Sequence, residues 1–239
     1  MFDNYEEFEE IISKKKDDVE LTPTLLLLMK YFNENIDLGN INVIKLPESK
    51  EKQQDMNLID KLLGDISSEY CGEFVLRHIL AELTYNIHEH AFDENSETEA
   101  FIAFKEFSKE NLLEISIMDL GLSIPGRFDF SNVDYADDCN AIEKAINNFS
   151  TVSTNPYERG NGLWTTIRFV IEGNGGEILL ISRKGLLHIT KDSYNYQLLE
   201  DEKMFKGTLI SIRLNKDEVQ NVYDLIELHR HNFYKYGGS

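Results

Sequence analysis

The sequence predicts an α+β fold, a two-layer sandwich in which helices pack on one face of a mixed, mainly antiparallel sheet. Two observations support this prediction. Apolar residues recur at helical spacing between residues 71 and 91, and strand-like segments are concentrated between residues 99 and 214. With helices early and closely connected strands late, the strands are expected to pair as antiparallel neighbours under a helical layer.

Residues 1–66 are predicted to form a helical N-terminal extension of unknown role. Thr22 and Pro23 are typical of a helix start, with threonine as the N-cap and proline at the first helical position. The alternating residues 41–46 predict a strand, and the polar stretch at 47–55 predicts a linker.

The main domain is predicted to span residues 67–215, followed by a C-terminal helix and flexible tail at 216–239. Its predicted elements, in order, are a helix at 71–91, strands at 99–107 and 111–119, helices at 136–149 and 163–172, and strands at 177–183, 186–190, 194–199 and 207–214.

The charge of the chain excludes some classes of partner. Its formal net charge is −19, which disfavours general binding to nucleic acid or to an anionic membrane.

The sequence also favours a location inside the cell. The longest apolar runs, such as Leu25–Met29, are far shorter than the roughly 20 residues of a membrane-spanning helix. The acidic start is unlike a signal peptide, and two cysteines are too few for a disulfide framework. We therefore expect a cytoplasmic protein.

Two polar side chains lie at the edge of the apolar stripe of the helix at 71–91. Glu82 and Asn86 project from the same side, one turn apart. A solvated helix flank would explain either residue alone. A carboxylate at this edge could also act as a general base, and an amide oxygen could ligate Mg²⁺.

Asp119 ends the strand at 111–119 and shares the face that we expect to be buried. A buried carboxylate needs polar partners, because burying it unpaired is costly. A turn aspartate that bends outward is one interpretation. The other is an acceptor at the floor of a pocket, with Gly121 allowing a flat ring to approach the backbone.

A glycine-containing turn directly precedes the helix at 163–172. Its residues are Arg159, Gly160, Asn161, Gly162 and Leu163. Free backbone N–H groups at a helix N-terminus form a site for phosphate groups, and the hydroxyls of Ser150 and Thr151 just before it could also reach phosphates. Such glycines are equally common in turns that only start a helix.

Taken in order, four motifs resemble those of the GHKL ATPases, the Bergerat-fold superfamily of gyrase, the heat-shock-90 chaperone, histidine kinases and MutL. Glu82–Asn86 resembles the N box, Asp119–Pro125 the first glycine box, Arg159–Leu163 the second, and Gly207–Ile212 the last conserved strand. The resemblance covers about residues 67–215, and the anti-sigma-factor and histidine-kinase-like branch is the most similar.

The resemblance implies ATP and Mg²⁺ as ligands. It implies that Glu82 polarises the attacking water or acceptor hydroxyl and that Asn86 binds Mg²⁺. The implied nucleotide-binding residues are Asp119, Gly121, Ile124, Ser150, Thr151, Arg159, Gly160, Asn161, Gly162, Leu163 and Thr208. Among these, Asp119 would recognise the adenine amino group and Thr208 would support it.

The resemblance also implies a mobile lid at residues 126–159 that closes over the phosphates. One position departs from the family, because Ser123 stands where the first glycine box usually has a second glycine. The pocket shape is expected to survive, since serine is small.

Several functions are consistent with these motifs. A self-contained histidine kinase is not expected, because all six histidines lie at or after the N-box helix. We expect an ATPase that uses ATP binding, hydrolysis and lid closure to control a protein partner of unknown identity. The alternatives are a protein-serine kinase of the anti-sigma type and a nucleotide-gated interaction module with negligible turnover. A homodimer is left open.

Overall fold

The computed structural model describes residues 22–32, 41–46, 52–90, 98–147 and 162–217, together with residues 219, 222 and 225. Its helices are α1 (Pro23–Phe32), α2 (Lys52–Asp65), α3 (Glu73–His90), α4 (Ile124–Phe130), α5 (Asp138–Ile146) and α6 (Gly162–Ile167), which continues into a π-helical turn at Arg168–Gly173. Its strands are β1 (Asn42–Lys45), β2 (Ala100–Phe107), β3 (Leu112–Asp119), β4 (Glu177–Arg183), β5 (Gly185–Thr190), β6 (Ser193–Leu198) and β7 (Phe205–Asn215).

The strands of the described residues form one seven-stranded sheet in the order β1-β2-β3-β7-β4-β5-β6. The last strand, β7, returns to the centre of the sheet, where it pairs with both β3 and β4. Every pair of neighbouring strands is antiparallel. The fold is therefore α+β as predicted, but the expectation of a mixed sheet is wrong for the strands described.

The main helical layer covers one face of this sheet. Alternate residues of the central strands point to it, and they pack against apolar residues of α3, α5 and the π-helical turn, while α2 packs on α3. Buried residues of this layer include Leu76, Leu80, Leu83, Ile115, Ile117, Ile142, Phe169, Leu180 and Ile212. The layer places the predicted site residues of α3 and of the strand ends on the same side of the sheet.

Helix α1 lies on the opposite face. Leu26, Leu27 and Leu28 are fully buried, and they form a second apolar cluster with Phe101, Met118 and other residues of that face. The expectation that helices cover one face thus holds for the main layer, while α1 covers part of the other.

A buried polar network fixes the start of α1 to the sheet. The backbone N–H and hydroxyl of Thr24 donate to Glu114 Oε1 at 3.0 and 2.6 Å. The other carboxylate oxygen of Glu114 accepts from Arg213 Nε at 2.9 Å. Ser116 and Ser211 complete the network, with their hydroxyls 2.8 and 2.6 Å from the Thr24 hydroxyl. Because Glu114 is fully buried, it depends on these partners.

Most predicted elements are confirmed, with small shifts of their ends. The predicted linker at 47–55 is wrong in part, because α2 begins at Lys52, and α4 was not predicted. Residues 1–21 and most of the predicted C-terminal helix lie outside the described residues. Within the described ranges, no helix has the length and apolar character needed to cross a membrane.

The described residues on the two sides of the predicted boundary at residue 66 belong to one sheet and one core. β1 pairs with β2, and α2 packs on α3, so the described residues before 67 share the sheet and the core of the rest. The division into domains at residue 66 stays a prediction.

Candidate functional site

Three polar side chains form a row across one end of the sheet. Asp119 on β3 lies directly opposite Thr208 on β7, and Thr208 lies directly opposite Ser182 on β4. Directly opposed residues point to the same face of an antiparallel sheet, which here is the face of the main helical layer. The hydroxyl oxygens of Ser182 and Thr208 are 3.0 Å apart.

The carboxyl group of Asp119 is buried, and this burial favours its neutral, protonated form. Burial raises the pKa of Asp119 to about 7, although hydrogen bonds from the backbone of Gly121 and Thr208 act in the opposite direction. The N–H of Gly121 donates to Asp119 Oδ1 at 3.0 Å. A carboxylate offers about four acceptor positions, so these backbone donors leave capacity for an N–H group of a ligand.

Gly207 allows β7 to pass close to the end of β3. Its φ is +99°, and a Cβ at this position would lie 2.1 Å from the carbonyl oxygen of Asp119. Any side chain would therefore force the two strands apart beside the Asp119 carboxylate. The sequence placed Gly207 only at the start of a strand, whereas the structure makes it a condition for the position of Thr208.

A hydrogen bond to Ser182 connects the turn after Asp119 to the same row of side chains. The N–H of Ile124 donates to Ser182 Oγ at 2.9 Å, and Ser182 in turn donates to the carbonyl oxygen of Gly207 at 3.2 Å. Ser123, the residue that departs from the glycine box, is the N-cap of α4, and its hydroxyl accepts from the N–H of Gly126 at 3.0 Å. The serine therefore has a local structural role in starting a helix.

The second part of the candidate site lies between α3 and α6. Glu82 and Asn86 are half-buried and one turn apart on α3, at the edge of its apolar stripe, as predicted. A Cβ on Gly162 would lie only 2.0 Å from Glu82 Oε2 and 3.3 Å from Glu82 Cβ. The first residue of α6 is thus packed directly on Glu82, and Leu163 packs against the edge of the main core.

His78 lies one turn before Glu82 on α3. Its ring meets that of Phe169 edge-on, with centroids 5.2 Å apart. Burial lowers the pKa of His78, and the charge of Glu82 raises it in part. Among the residues that the structure describes, Nε2 of His78 has no hydrogen-bond partner. His78 is therefore neutral near pH 7 and electrostatically linked to Glu82.

Five predicted site residues cannot be placed. Ser150, Thr151, Arg159, Gly160 and Asn161 lie outside the described residues. The first part of the predicted lid is packed onto the sheet, since Phe128 and Ile142 are buried and α5 contacts β5. The rest of the predicted lid, at 148–159, lies outside the described residues.

Asn86 is the metal ligand that the sequence predicts. Among the described residues, no group of three or more histidine, cysteine, aspartate or glutamate side chains is arranged to hold a metal ion. The amide oxygen of Asn86 is a suitable donor for Mg²⁺, which commonly takes few protein ligands together with phosphate oxygens and water. The amide oxygen of Asn86 thus fits the ligand chemistry of Mg²⁺.

Sequence reasoning missed Ser182 as a member of the site. The signal was available, because Ile178, Leu180 and Ser182 share one face of β4 and the apolar pattern of that face ends in a hydroxyl. The same reasoning identified Asp119 at the end of β3.

The arrangement combines a buried carboxyl group that keeps acceptor capacity with a second carboxylate beside the start of a helix. The first feature belongs to the row of Asp119, Thr208 and Ser182, and the second to Glu82 and Gly162. Comparison of the sequence with models of known protein families gave no match, and no curated protein matched the chain. The likeness to the GHKL ATPases therefore rests on the residues of this chain.

Proposed function

We propose that this protein binds MgATP between the sheet and the main helical layer, and that its nucleotide state controls a protein partner. The buried carboxyl group of Asp119 is the observation that carries the proposal. A strand end on a core-facing surface is a costly position for an aspartate unless a ligand uses it. The two free thiols and the absence of a membrane-spanning helix in the described ranges are compatible with a cytoplasmic location.

In this proposal the row at the sheet end recognises the base. The carboxylate of Asp119 accepts a hydrogen bond from the exocyclic amine of adenine. Thr208 and Ser182 hold the neighbouring strand in place, and Gly121 and Ile124 supply backbone beside the ring. Recognition by a fixed acceptor gives specificity, because a base that carries a carbonyl group at this position leaves the carboxylate unpaired.

The edge of α3 serves the phosphates and the reaction. Glu82 accepts the proton of the attacking water, and Asn86 holds Mg²⁺. The N–H groups at 160–163 bind phosphate oxygens, with Ser150, Thr151 and Arg159 as further donors. When bound, Mg²⁺ supplies positive charge against the phosphates, which matters in a chain of net charge −19.

Binding is tested by calorimetric titration of the full chain with MgATP and with MgGTP. The wild type should bind MgATP and discriminate against MgGTP, and Asp119→Asn should lose most of the affinity for ATP. Asp192→Asn, which removes a carboxylate in the exposed turn between β5 and β6, is the matched control and should bind as the wild type does. Equal binding by Asp119→Asn would show that the base is not recognised here.

Turnover is tested by phosphate release from the same samples. Glu82→Gln should keep binding and lose release. Gly162→Ala should lose release as well, because its Cβ displaces the Glu82 carboxylate, whereas Gly64→Ala on α2, with no atom within 4 Å of the new Cβ, should be unaffected. Tight binding without release in the wild type would favour a nucleotide-gated module, and phosphate transferred to a protein hydroxyl would favour a serine kinase.

Lid closure is tested by hydrogen exchange with MgADP and with a non-hydrolysable analogue of MgATP. The helices α4 and α5 within 126–147 bury side chains such as Phe128 and Ile142, so the protection of these helices should respond little to either ligand. A difference between the two ligands is expected at 148–161. An equal response there to both ligands would exclude control by the γ-phosphate.

A further inference from the structure

One edge of the sheet combines three properties that favour pairing with another strand. β6 (Ser193–Leu198) is the last strand in the order of the described sheet, and its sequence SYNYQL contains no charged residue and no proline. Sheet edges of soluble proteins are commonly protected by charged side chains, by proline or by short length. The edge at β1 is shorter and ends at Lys45, whereas β6 has none of these protections.

β6 also exposes large apolar side chains. The exposed fractions of Tyr194, Tyr196 and Leu198 are 52%, 40% and 50%. These residues alternate along the strand, and Tyr194 and Tyr196 lie opposite Ile189 and Leu187, so the three point to the face of the main helical layer. The outer end of this face is therefore apolar and open to solvent.

We propose that β6 pairs with β6 of a second copy of this chain, antiparallel and about a two-fold axis. The turn between β5 and β6 has two residues, with Thr190 opposite Ser193, so Ser193, Asn195 and Gln197 exchange backbone hydrogen bonds with β5. The N–H and C=O groups of Tyr194, Tyr196 and Leu198 then point outward. These groups are the ones that a second β6 strand meets.

The sequence of β6 is complementary to itself in one register. When Tyr196 lies opposite the Tyr196 of the second copy, Tyr194 lies opposite Leu198, and Asn195 lies opposite Gln197. The outward-pointing residues then form hydrogen-bonded pairs with one another, and apolar residues meet apolar residues on one face. The contact is isologous and uses both β6 edges, so it closes at two copies.

Charge affects self-association at this edge. Two copies of net charge −19 repel each other, and the β6 strand itself adds no charge to this repulsion, although Glu172 and Glu143 act on Tyr194 and Tyr196. Asp192 and Glu200 flank the strand and add to the repulsion at its ends. Association is therefore expected to strengthen with salt, since screening shortens the range of the repulsion. The proposal does not depend on nucleotide binding.

The first test is sedimentation velocity of the full chain over a range of concentrations, at low and high salt. The wild type should form a dimer, more readily at high salt. Tyr196→Lys places two like charges directly opposite each other and should weaken dimerisation by at least about tenfold. Phe74→Lys is the matched control, because Phe74 on α3 is 61% exposed and lies outside the sheet edge.

Disulfide cross-linking tests the register. Tyr196→Cys, in a chain with Cys139→Ser, should form a symmetric cross-link, because the Cα atoms of such a pair are about 5.5 Å apart. Tyr194→Cys in the same chain should not, since the two introduced cysteines would be about 13 Å apart along the strands. Thermal unfolding should show that both variants stay folded.

A wild type that stays monomeric at every concentration and salt would overturn the proposal. So would a Tyr196→Lys variant that is folded and dimerises as the wild type does, because the contact would then lie elsewhere. Cross-linking at residue 194 instead of 196 would overturn the register.

Discussion

At the scale of the residue, Asp119 is the clearest example of a side chain whose position has an energetic cost. Its carboxyl group is buried at the end of β3, and burial raises its pKa to about 7. Two backbone hydrogen bonds only partly offset the loss of water. A group of this kind titrates close to physiological pH, so the stability of the protein depends on the same residue that we propose to recognise the base.

The contribution of Asp119 to the stability of the wild type should fall as pH rises from about 4 to about 7. In this window the unfolded chain has already released the proton of residue 119, while the folded protein still holds it, so each pH unit lowers the unfolding free energy by up to about 1.4 kcal/mol. The melting temperature of the wild type minus that of Asp119→Asn should therefore decrease between pH 5 and pH 8, by roughly 2–4 °C per kcal/mol. A difference that does not change with pH would contradict the raised pKa.

Residue types explain which site residues could be predicted. Asp119 was identified because a carboxylate on an apolar face is conspicuous in a sequence, and Glu82 because it lies at the edge of an apolar stripe. The hydroxyl of Ser182 at the end of an apolar strand face was passed over, because its partners Thr208 and Ile124 come from distant parts of the chain. Pairing across strands determines the site, and a single sequence contains no record of that pairing.

At the scale of the element, α1 is joined to the sheet by polar as well as apolar contacts. Its leucines bury an apolar face, while Thr24 connects its first turn to Glu114. A carboxylate near the first turn of a helix is favourable, because backbone N–H groups there lack partners within the helix. The network thereby fixes both the position and the direction of α1.

Replacing Thr24 by valine should destabilise the protein by about 1–3 kcal/mol. Valine keeps the shape but removes a hydroxyl that donates to the buried Glu114 carboxylate, and it leaves that acceptor short of a partner. Urea unfolding with an unchanged m-value measures the loss. Thr190→Val, at the partly exposed end of β5, is the control and should change stability much less. Equal effects of the two substitutions would mean that the network contributes little.

Helices and strands were predicted best where the apolar residues follow a single period, either that of a helix or that of a strand. α3 and the central strands have clear periods, and their positions are confirmed. α4 was not predicted, although Pro125 suits the first turn of a helix. The position of α1 was missed despite a signal in β2, where Phe101 and Ala103 on one face and Ile102 and Phe104 on the other are all apolar. A strand that is apolar on both faces is expected to have other elements packed on both faces of the sheet.

At the scale of the whole molecule, net charge opposes the ligand that we propose. A chain of net charge −19 repels MgATP at long range, although local backbone donors attract its phosphates at short range. Affinity and association rate are then controlled by different parts of the protein.

The association rate of MgATP should increase with ionic strength, by a factor of about 2 to 10 between low and physiological salt. Screening removes the repulsion between the protein and the nucleotide before they meet, while the dissociation rate, which depends on short-range contacts, should change less. Stopped-flow measurements with a fluorescent ATP analogue give both rates. An association rate that falls with salt would show that a local positive field dominates the approach.

The π-helical turn that follows α6 has a further consequence for the chain. The N–H of Asn174 donates to the carbonyl oxygen of Phe169 at 2.9 Å, so this turn holds one residue more than an α-helix would. At one end Gly162 is packed on Glu82, and at the other the side chain of Asn174 is bonded to the backbone of Asn215. The number of residues between Gly162 and Asn174 therefore sets both their distance along the helix axis and their relative rotation about it. Loss of any one residue between them would rotate Gly162 by about 100° relative to Asn174. Substitutions in this segment change its chemistry, but a change in its length would turn the helix start away from Glu82.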